Sequence, residues 1–339
     1  MHLRENVSLA RYTTLSIGGP ARWFAEIETE SDILEALTFA HTRTLPIQIL
    51  GGGSNVLIAD AGFDGLVLHI GLRGIREHNS TLEIAAGEEW DPIVAYAIER
   101  DLAGIECLSG IPGRTGGTPV QNVGAYGQEV SQTITQVRAY DRKTSVFVTL
   151  SNADCGFTYR TSIFNTTARD RYIVTSVTFA LTPNGAPNLS YGDLQRHFAN
   201  HNHAPTLAEV RNAVREIRHR KGMLIVTGDP DARSAGSFFR NPIVTTQQHH
   251  DLIARYGTIP SYTVSDKQVK IPAAWLVENA GFNKGYTLGR AGVSSKHTLA
   301  LINRNHATAA DILALRDQIT QTVQDKFQIH LEPEPVYIK

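Results

Sequence analysis

The run 109–127 limits this chain more than any other stretch. It reads Ser-Gly-Ile-Pro-Gly-Arg-Thr-Gly-Gly-Thr-Pro-Val-Gln-Asn-Val-Gly-Ala-Tyr-Gly, with six glycines, two prolines and Arg114 as its only charged residue. No regular helix or central strand tolerates that composition, because glycine frees φ and proline removes donors and fixes turns. Ile111, Val120, Gln121, Asn122 and Tyr126 interrupt it, so it is not a flexible linker either. An ordered loop that presents backbone N–H groups is expected, and consecutive N–H groups of this kind form anion nests. A phosphate-bearing cofactor is the natural guest; a structural crossover without a ligand is the other reading.

A second cluster, Gly51-Gly52-Gly53-Ser54-Asn55, follows the strand-like Ile47–Leu50. Glycines at a strand exit let another group come against the backbone. Neither cluster carries the Gly-x-Gly-x-x-Gly or Gly-x-x-x-x-Gly-Lys-Ser/Thr fingerprint, which excludes Rossmann and P-loop binding.

A chain of 339 residues is long for one core, so two or three domains are expected. With 42% hydrophobic residues, 19% charged and a net charge of −1, it reads as a soluble globular protein. Neither nucleic acid nor an anionic membrane is favoured as a partner. Two cysteines, Cys107 and Cys155, are too few for a disulfide framework or a cysteine-based metal site. His197, His201 and His203 lie among loop residues, so no metal is expected. The N-terminus lacks an apolar signal core, and a cytoplasmic location is expected.

Alternating helix and strand signals mark an α/β or α+β protein, read in three segments, 1–75, 76–220 and 221–339. Ser31 is expected to cap a helix with Ile33, Leu34, Leu37 and Ala40 on one face. Asp91-Pro92 reads as N-cap and N1 of the next helix. Capping boxes at Thr206/Glu209 and Thr308/Asp311 open two more. His249 and His250 read as solvent-facing on a helix over 246–256. The basic cluster Arg215, Arg218, Arg220 and Lys221 reads as favourable to a helix C-terminus.

Four side chains stand out chemically. Ser237 lies among small residues and lacks a nucleophile elbow, so it reads as a loop serine or a proton donor. Arg160, in an aromatic-apolar segment, reads as a surface ion pair or a carboxylate clamp. Glu332 and Glu334 share a strand face, as a solvated edge or as a pocket acid.

Seven stretches, in order, resemble the UDP-N-acetylenolpyruvoylglucosamine reductases of bacterial cell-wall synthesis. They are Ile17–Ala21, Gly51–Leu57, Gly110–Gly127, Tyr159–Phe164, Ala235–Pro242, Gly292–His297 and Leu331–Glu334. The resemblance implies a two-subdomain FAD-binding unit of the vanillyl-alcohol-oxidase (PCMH) type, with a C-terminal α+β substrate-binding domain whose last residues return to the first segment. It implies non-covalent FAD held at Gly51, Gly52, Gly53, Ser54, Asn55, Ile111, Pro112, Gly113, Gly116, Gly117, Gln121, Asn122, Gly124 and Ala125. NADPH is the implied co-substrate and UDP-N-acetylglucosamine enolpyruvate the implied partner, with the protein acting as a monomer. Arg160 and Glu334 would stabilise the enolate and Ser237 would deliver the proton. Tyr126, Tyr191, Lys221, Asn241 and His297 would contact substrate, Tyr191 marking the family's first subtype. A flavin oxidase of a small alcohol and a UDP-sugar-binding regulator are the competing readings. Pro335 after Glu334 departs from the family pattern, and so does the short segment that follows.

Overall fold

The computed structural model describes residues 1–339, which divide into two compact units. The first comprises 1–7, 21–53 and 64–219; the second comprises 8–20, 54–63 and 220–339. The long C-terminal segment of the second unit begins at 220. The short segments 8–20 and 54–63 belong with the C-terminal part.

In the first unit, a four-stranded sheet has the order His2–Ser8, Pro20–Ile27, Phe63–Ile70, Ile47–Leu50. Ile47–Leu50 runs parallel to 66–69 and delivers the chain into Gly51-Gly52-Gly53. A five-stranded antiparallel sheet has the order Val146–Ser151, Ile134–Asp141, Tyr172–Ala180, Thr81–Ala85, Ile75–His78. Tyr172–Ala180 is its central strand, which explains its near-continuous apolar run of Ile173, Val174, Val177 and Phe179. Trp90, Ile93, Val94 and Ala97 of the helix Trp90–Ile98 join these strands in one core.

Local signals account for most helix boundaries, with instructive exceptions. The helix Glu30–Thr42 is capped by Thr29, in a reciprocal box with Asp32, and not by Ser31. Ile33, Ala36 and Ala40 face inward while Leu34 is exposed, so the buried stripe is offset from the expected one. Glu89 is the N-cap of Trp90–Ile98, and Asp91 is spent on long-range partners described below. The Thr206/Glu209 box opens Leu207–Arg220, whose Val210, Val214 and Ile217 pack in a separate cluster with Leu194 and Phe198.

In the second unit, the helix Ala309–Phe327 buries Ile312, Leu315, Ile319, Val323 and Phe327. Its start is doubly fixed: Thr308 and Asp311 form the capping box, and the Asp60 carboxylate accepts Ala309 N–H (2.7 Å) and Ala310 N–H (3.0 Å). Val336–Ile338 pairs in parallel with Val56–Ile58. The C-terminal strand thus pairs with the short 54–63 segment inside the same unit. Gly19 is obligatory here, because a Cβ would lie 2.2 Å from the Asp60 carbonyl oxygen. His249 of the helix Thr246–Tyr256 is buried at the Ile259 carbonyl, contrary to its solvent-facing reading, while helical spacing leaves the neighbouring His250 exposed. No helix is long and apolar enough to cross a membrane.

Candidate active site

The two glycine-rich loops of the first unit meet. A Cβ on Gly52 would sit 2.7 Å from Gly113 Cα and 3.0 Å from its carbonyl carbon. Only two bare backbones approach so closely. The N–H groups of Gly52, Gly53, Ile111 and Gly113 donate to no acceptor in the protein. By contrast, Gly116 N–H is spent on the Ala86 carbonyl and Gly117 N–H on the Arg114 carbonyl. Pro112 lies between Ile111 and Gly113 and has no N–H to offer. The Arg114 guanidinium donates to the Ile70 carbonyl, so it braces the loop from behind. Such a pair of loops suits an anion as large as a pyrophosphate, held by backbone dipoles.

Past this pair the chain makes a tight hairpin, Gly124–Ala125 against Gln128–Glu129. Val120 accepts from the Ser162 hydroxyl at 2.7 Å, which fastens the loop to the segment that carries Arg160. Arg160 lies in a two-residue turn closed by reciprocal Thr158–Thr161 bonds, with φ of 55°. Glycine usually fills that position, and Arg160 holds it under strain. Its guanidinium donates to the Gly124 carbonyl at 2.7 Å and lies 5.2 Å from the Tyr159 ring centroid. Asn122 (φ 43°) and Tyr126 (φ 49°) are left-handed as well. Asn122 is buried, and its side chain is fully engaged by Glu129, Thr158 and Ser131. Gln121, next to it, is partly buried.

Tyr126 and Tyr191 meet edge-on, ring centroids 5.4 Å apart. Tyr126 is buried and Tyr191, the N-cap of Gly192–Phe198, is exposed. Glu106 fixes this pairing from below. It is fully buried and accepts from Gly104 N–H, the Gln128 amide and Asn188 N–H, each at 2.8 Å. Sequence reasoning passed over Glu106; a lone carboxylate inside Ile105-Glu106-Cys107-Leu108 was the available signal.

Arg215 and Arg218 of the basic cluster, joined by Arg211, do more than complement a helix end. Asp91 accepts from Gly110 N–H (2.6 Å), from Arg211 (2.6 and 3.0 Å) and from Arg215. Burial alone would raise the Asp91 carboxyl; the bonds from Arg211 and Gly110, with the two arginine charges, outweigh it and hold the group below the usual range. Arg218 is buried and donates to the Gly110 carbonyl at 3.0 Å. Burial pushes Arg218 down from its ordinary value, and Tyr126 and Asp91 oppose that. Gly110 is therefore gripped at both its N–H and its C=O.

In the second unit, residues 237–240 run antiparallel to 332–335. Glu334 N–H donates to the Phe238 carbonyl (2.8 Å), Arg240 N–H to the Glu332 carbonyl (3.0 Å), and Phe239 faces Pro333. Ser237 and Glu334 are thus brought together, and both are partly buried. No hydrogen bond within the protein engages the Ser237 hydroxyl. Glu332 is exposed, with Arg240 4.0 Å away. Asn55 sits in this unit too: its amide donates to the Glu334 carbonyl (3.3 Å), and its own carbonyl accepts Val336 N–H. Ser54 precedes it.

His297 Nδ1 accepts Leu299 N–H at 3.0 Å, which leaves Nε2 as the protonated nitrogen of the neutral ring. The Leu299 carbonyl then accepts Phe238 N–H, tying His297 to the Ser237 segment. That loop is anchored by Asp231, which accepts from Ser295 N–H and hydroxyl, and by Asp229, which pairs Lys296 at 2.5 Å. Asn241 accepts Ala273 N–H at 2.8 Å, and its amide nitrogen donates to no protein acceptor. Lys221 follows the helix Leu207–Arg220 and is partly buried.

Comparisons with known proteins give the family. A model of FAD-binding domains matches 21–150, and one described as UDP-N-acetylenolpyruvoylglucosamine reductase, C-terminal domain, matches 229–338. The chain is 45% identical to the UDP-N-acetylenolpyruvoylglucosamine reductase of Thermobifida fusca, over 98% of this chain and 97% of that one. It is 44% identical to that of Streptomyces coelicolor, over 98% and 90%. The crystal structure of the reductase from Thermus caldophilus matches all of both chains with a TM-score of 0.70 at 24% identity, a likeness of fold. The architecture is an FAD-binding unit of the vanillyl-alcohol-oxidase type with the family's C-terminal domain, as the motifs implied. The chain is an oxidoreductase that belongs to the UDP-N-acetylenolpyruvoylglucosamine reductase family.

Proposed function

We propose that the protein reduces UDP-N-acetylglucosamine enolpyruvate to UDP-N-acetylmuramate with NADPH, as an FAD-dependent cytoplasmic step of peptidoglycan synthesis. The contact of Gly52 with Gly113, with four unspent N–H groups around it, carries the reading. It fits a pyrophosphate-bearing cofactor, with Gly52, Gly53, Ile111 and Gly113 as the donors. Bound FAD supplies two-electron hydride chemistry between NADPH and substrate.

The chain's own residues do the rest. Hydride addition to the carbon β to the carboxylate leaves an electron pair on the α-carbon, spread onto that carboxylate. Arg160, fixed in orientation by the Gly124 carbonyl, provides the cation that this charge needs. Ser237, whose hydroxyl has no protein partner, gives its proton to the α-carbon. Glu334 acts as a neutral acid that donates a hydrogen bond to the enolate, since a second negative charge there would oppose the step. Tyr126, Tyr191, Asn241, Lys221 and His297 hold the nucleotide sugar.

The test is anaerobic. The purified protein carries a flavin spectrum, NADPH bleaches it, and UDP-N-acetylglucosamine enolpyruvate restores it. Reduced protein that stays bleached with substrate defeats the proposal.

A further inference from the structure

Asn122 was expected among the cofactor contacts, yet its side chain has nothing left to offer a ligand. Its amide donates to Glu129 at 2.8 Å and to the Thr158 carbonyl at 3.0 Å, and its oxygen accepts Ser131 N–H at 3.1 Å. It is 1% exposed. Thr158 opens the turn whose third residue is Arg160. The other end of that turn is held too: the Asn165 amide donates to the Arg160 carbonyl at 3.1 Å, and Asn165 Oδ1 accepts Ser162 N–H at 2.9 Å. The two asparagines grip the turn on either side of a residue at φ 55°. A left-handed, non-glycine residue persists only where its surroundings over-determine it.

We infer that Asn122 is a positioning residue for Arg160, assisted by Asn165. It holds the strained turn so that the guanidinium stays where the carboxylate charge of the substrate develops. The inference rests on the proposed role of Arg160 at that carboxylate. Asn122 joins three elements, the glycine-rich loop, the 128–131 segment and the arginine turn, and it exerts its effect through the third. Misplacement of a fixed charge by about 1 Å is enough to cost on the order of 10²-fold in rate.

The test uses holoenzyme under anaerobic stopped flow. Asn122→Gly removes the amide while sparing the left-handed backbone. We expect flavin reduction by NADPH and FAD affinity to stay within about threefold of wild type, while reoxidation by substrate slows about 100-fold. In an Arg160→Gly background, Asn122→Gly should cost less than about threefold more, because coupled residues are non-additive. Asn165→Ala should follow the same pattern and carries the test if Asn122→Gly does not fold. Multiplying losses, or weakened FAD binding, in protein whose wild type turns over would overturn this inference alone. A wild type that substrate does not reoxidise overturns the proposed function and this inference with it.

Discussion

Replacing Gly52 by alanine tests the loop pair directly. Gly52 has no left-handed φ, so alanine is conformationally acceptable and the effect is steric. The new Cβ would stand 2.7 Å from Gly113 Cα and 3.1 Å from Arg114 N. Carbon atoms settle at about 3.5–4.0 Å, so the loops must part by about 1 Å. N–H groups on one loop then lose reach to an anion that those on the other still hold. Losing one or two hydrogen bonds to a charged group removes about 2–4 kcal/mol. FAD affinity should fall by one to three orders of magnitude, at ~1.4 kcal/mol per decade. Titration of the apo-protein with FAD, followed by flavin fluorescence, reads this out. Melting of the apo-protein alongside separates a lost cofactor from a lost fold. An unchanged Kd would refute the argument that the close backbone approach shapes the cofactor site.

Further outcomes are expected. Ser237→Ala should leave NADPH-driven flavin reduction intact and slow reoxidation by substrate by orders of magnitude; equal slowing of both half-reactions would remove the proton-donor role. Glu334→Gln should be milder than Glu334→Ala, since an amide still donates, and the reverse order in kcat would argue against a neutral acid. Asp91→Asn should lower stability by about 1–3 kcal/mol at neutral pH, between exposed and buried pairs. Because the folded Asp91 titrates below its unfolded value, that stabilisation is present above about pH 3.9 and fades as pH falls towards the lower folded pKa. Melting curves of the two proteins should therefore converge in acid, and a gap that persists there would contradict it. Burial, then Asp154, pushes the Cys155 thiol up to about 12, and burial with Glu106 likewise raises Cys107. Neither should react quickly with a disulfide reagent at pH 8 until the protein is unfolded.

Features encoded within one turn of chain were readable in advance. The Thr206/Glu209 and Thr308/Asp311 boxes appear where their residues place them. At Thr29 the same logic applied two residues earlier than expected, since Asp32 answers Thr29 in a capping box that overrides Ser31. What stayed hidden depends on distant partners. Asp91 looks like an N-cap until Arg211 and Arg215 arrive 120 and 124 residues later. The stripe on Glu30–Thr42 keeps helical spacing at Ile33, Ala36 and Ala40 but is rotated from the expected one, because the core it packs into decides which face is covered. In the candidate site, residue types were legible but not their use. Asn122 fitted a ligand-binding motif, and only the hydrogen-bond accounting shows its amide committed to Thr158 and Glu129. Glu106 had no partner spacing to betray it, because its three donors come from three separate segments.

The parallel pairing of Val56–Ile58 with Val336–Ile338 bears on how the chain is made. Asn55 leaves the ribosome 279 residues before Glu334, the residue whose carbonyl its amide holds. At ~5–20 residues per second, that is tens of seconds during which an apolar strand lacks its strand partner. Asp60 likewise waits 249 residues for the helix terminus that it caps. The C-terminal unit therefore cannot complete its assembly until residues 336–338 are made.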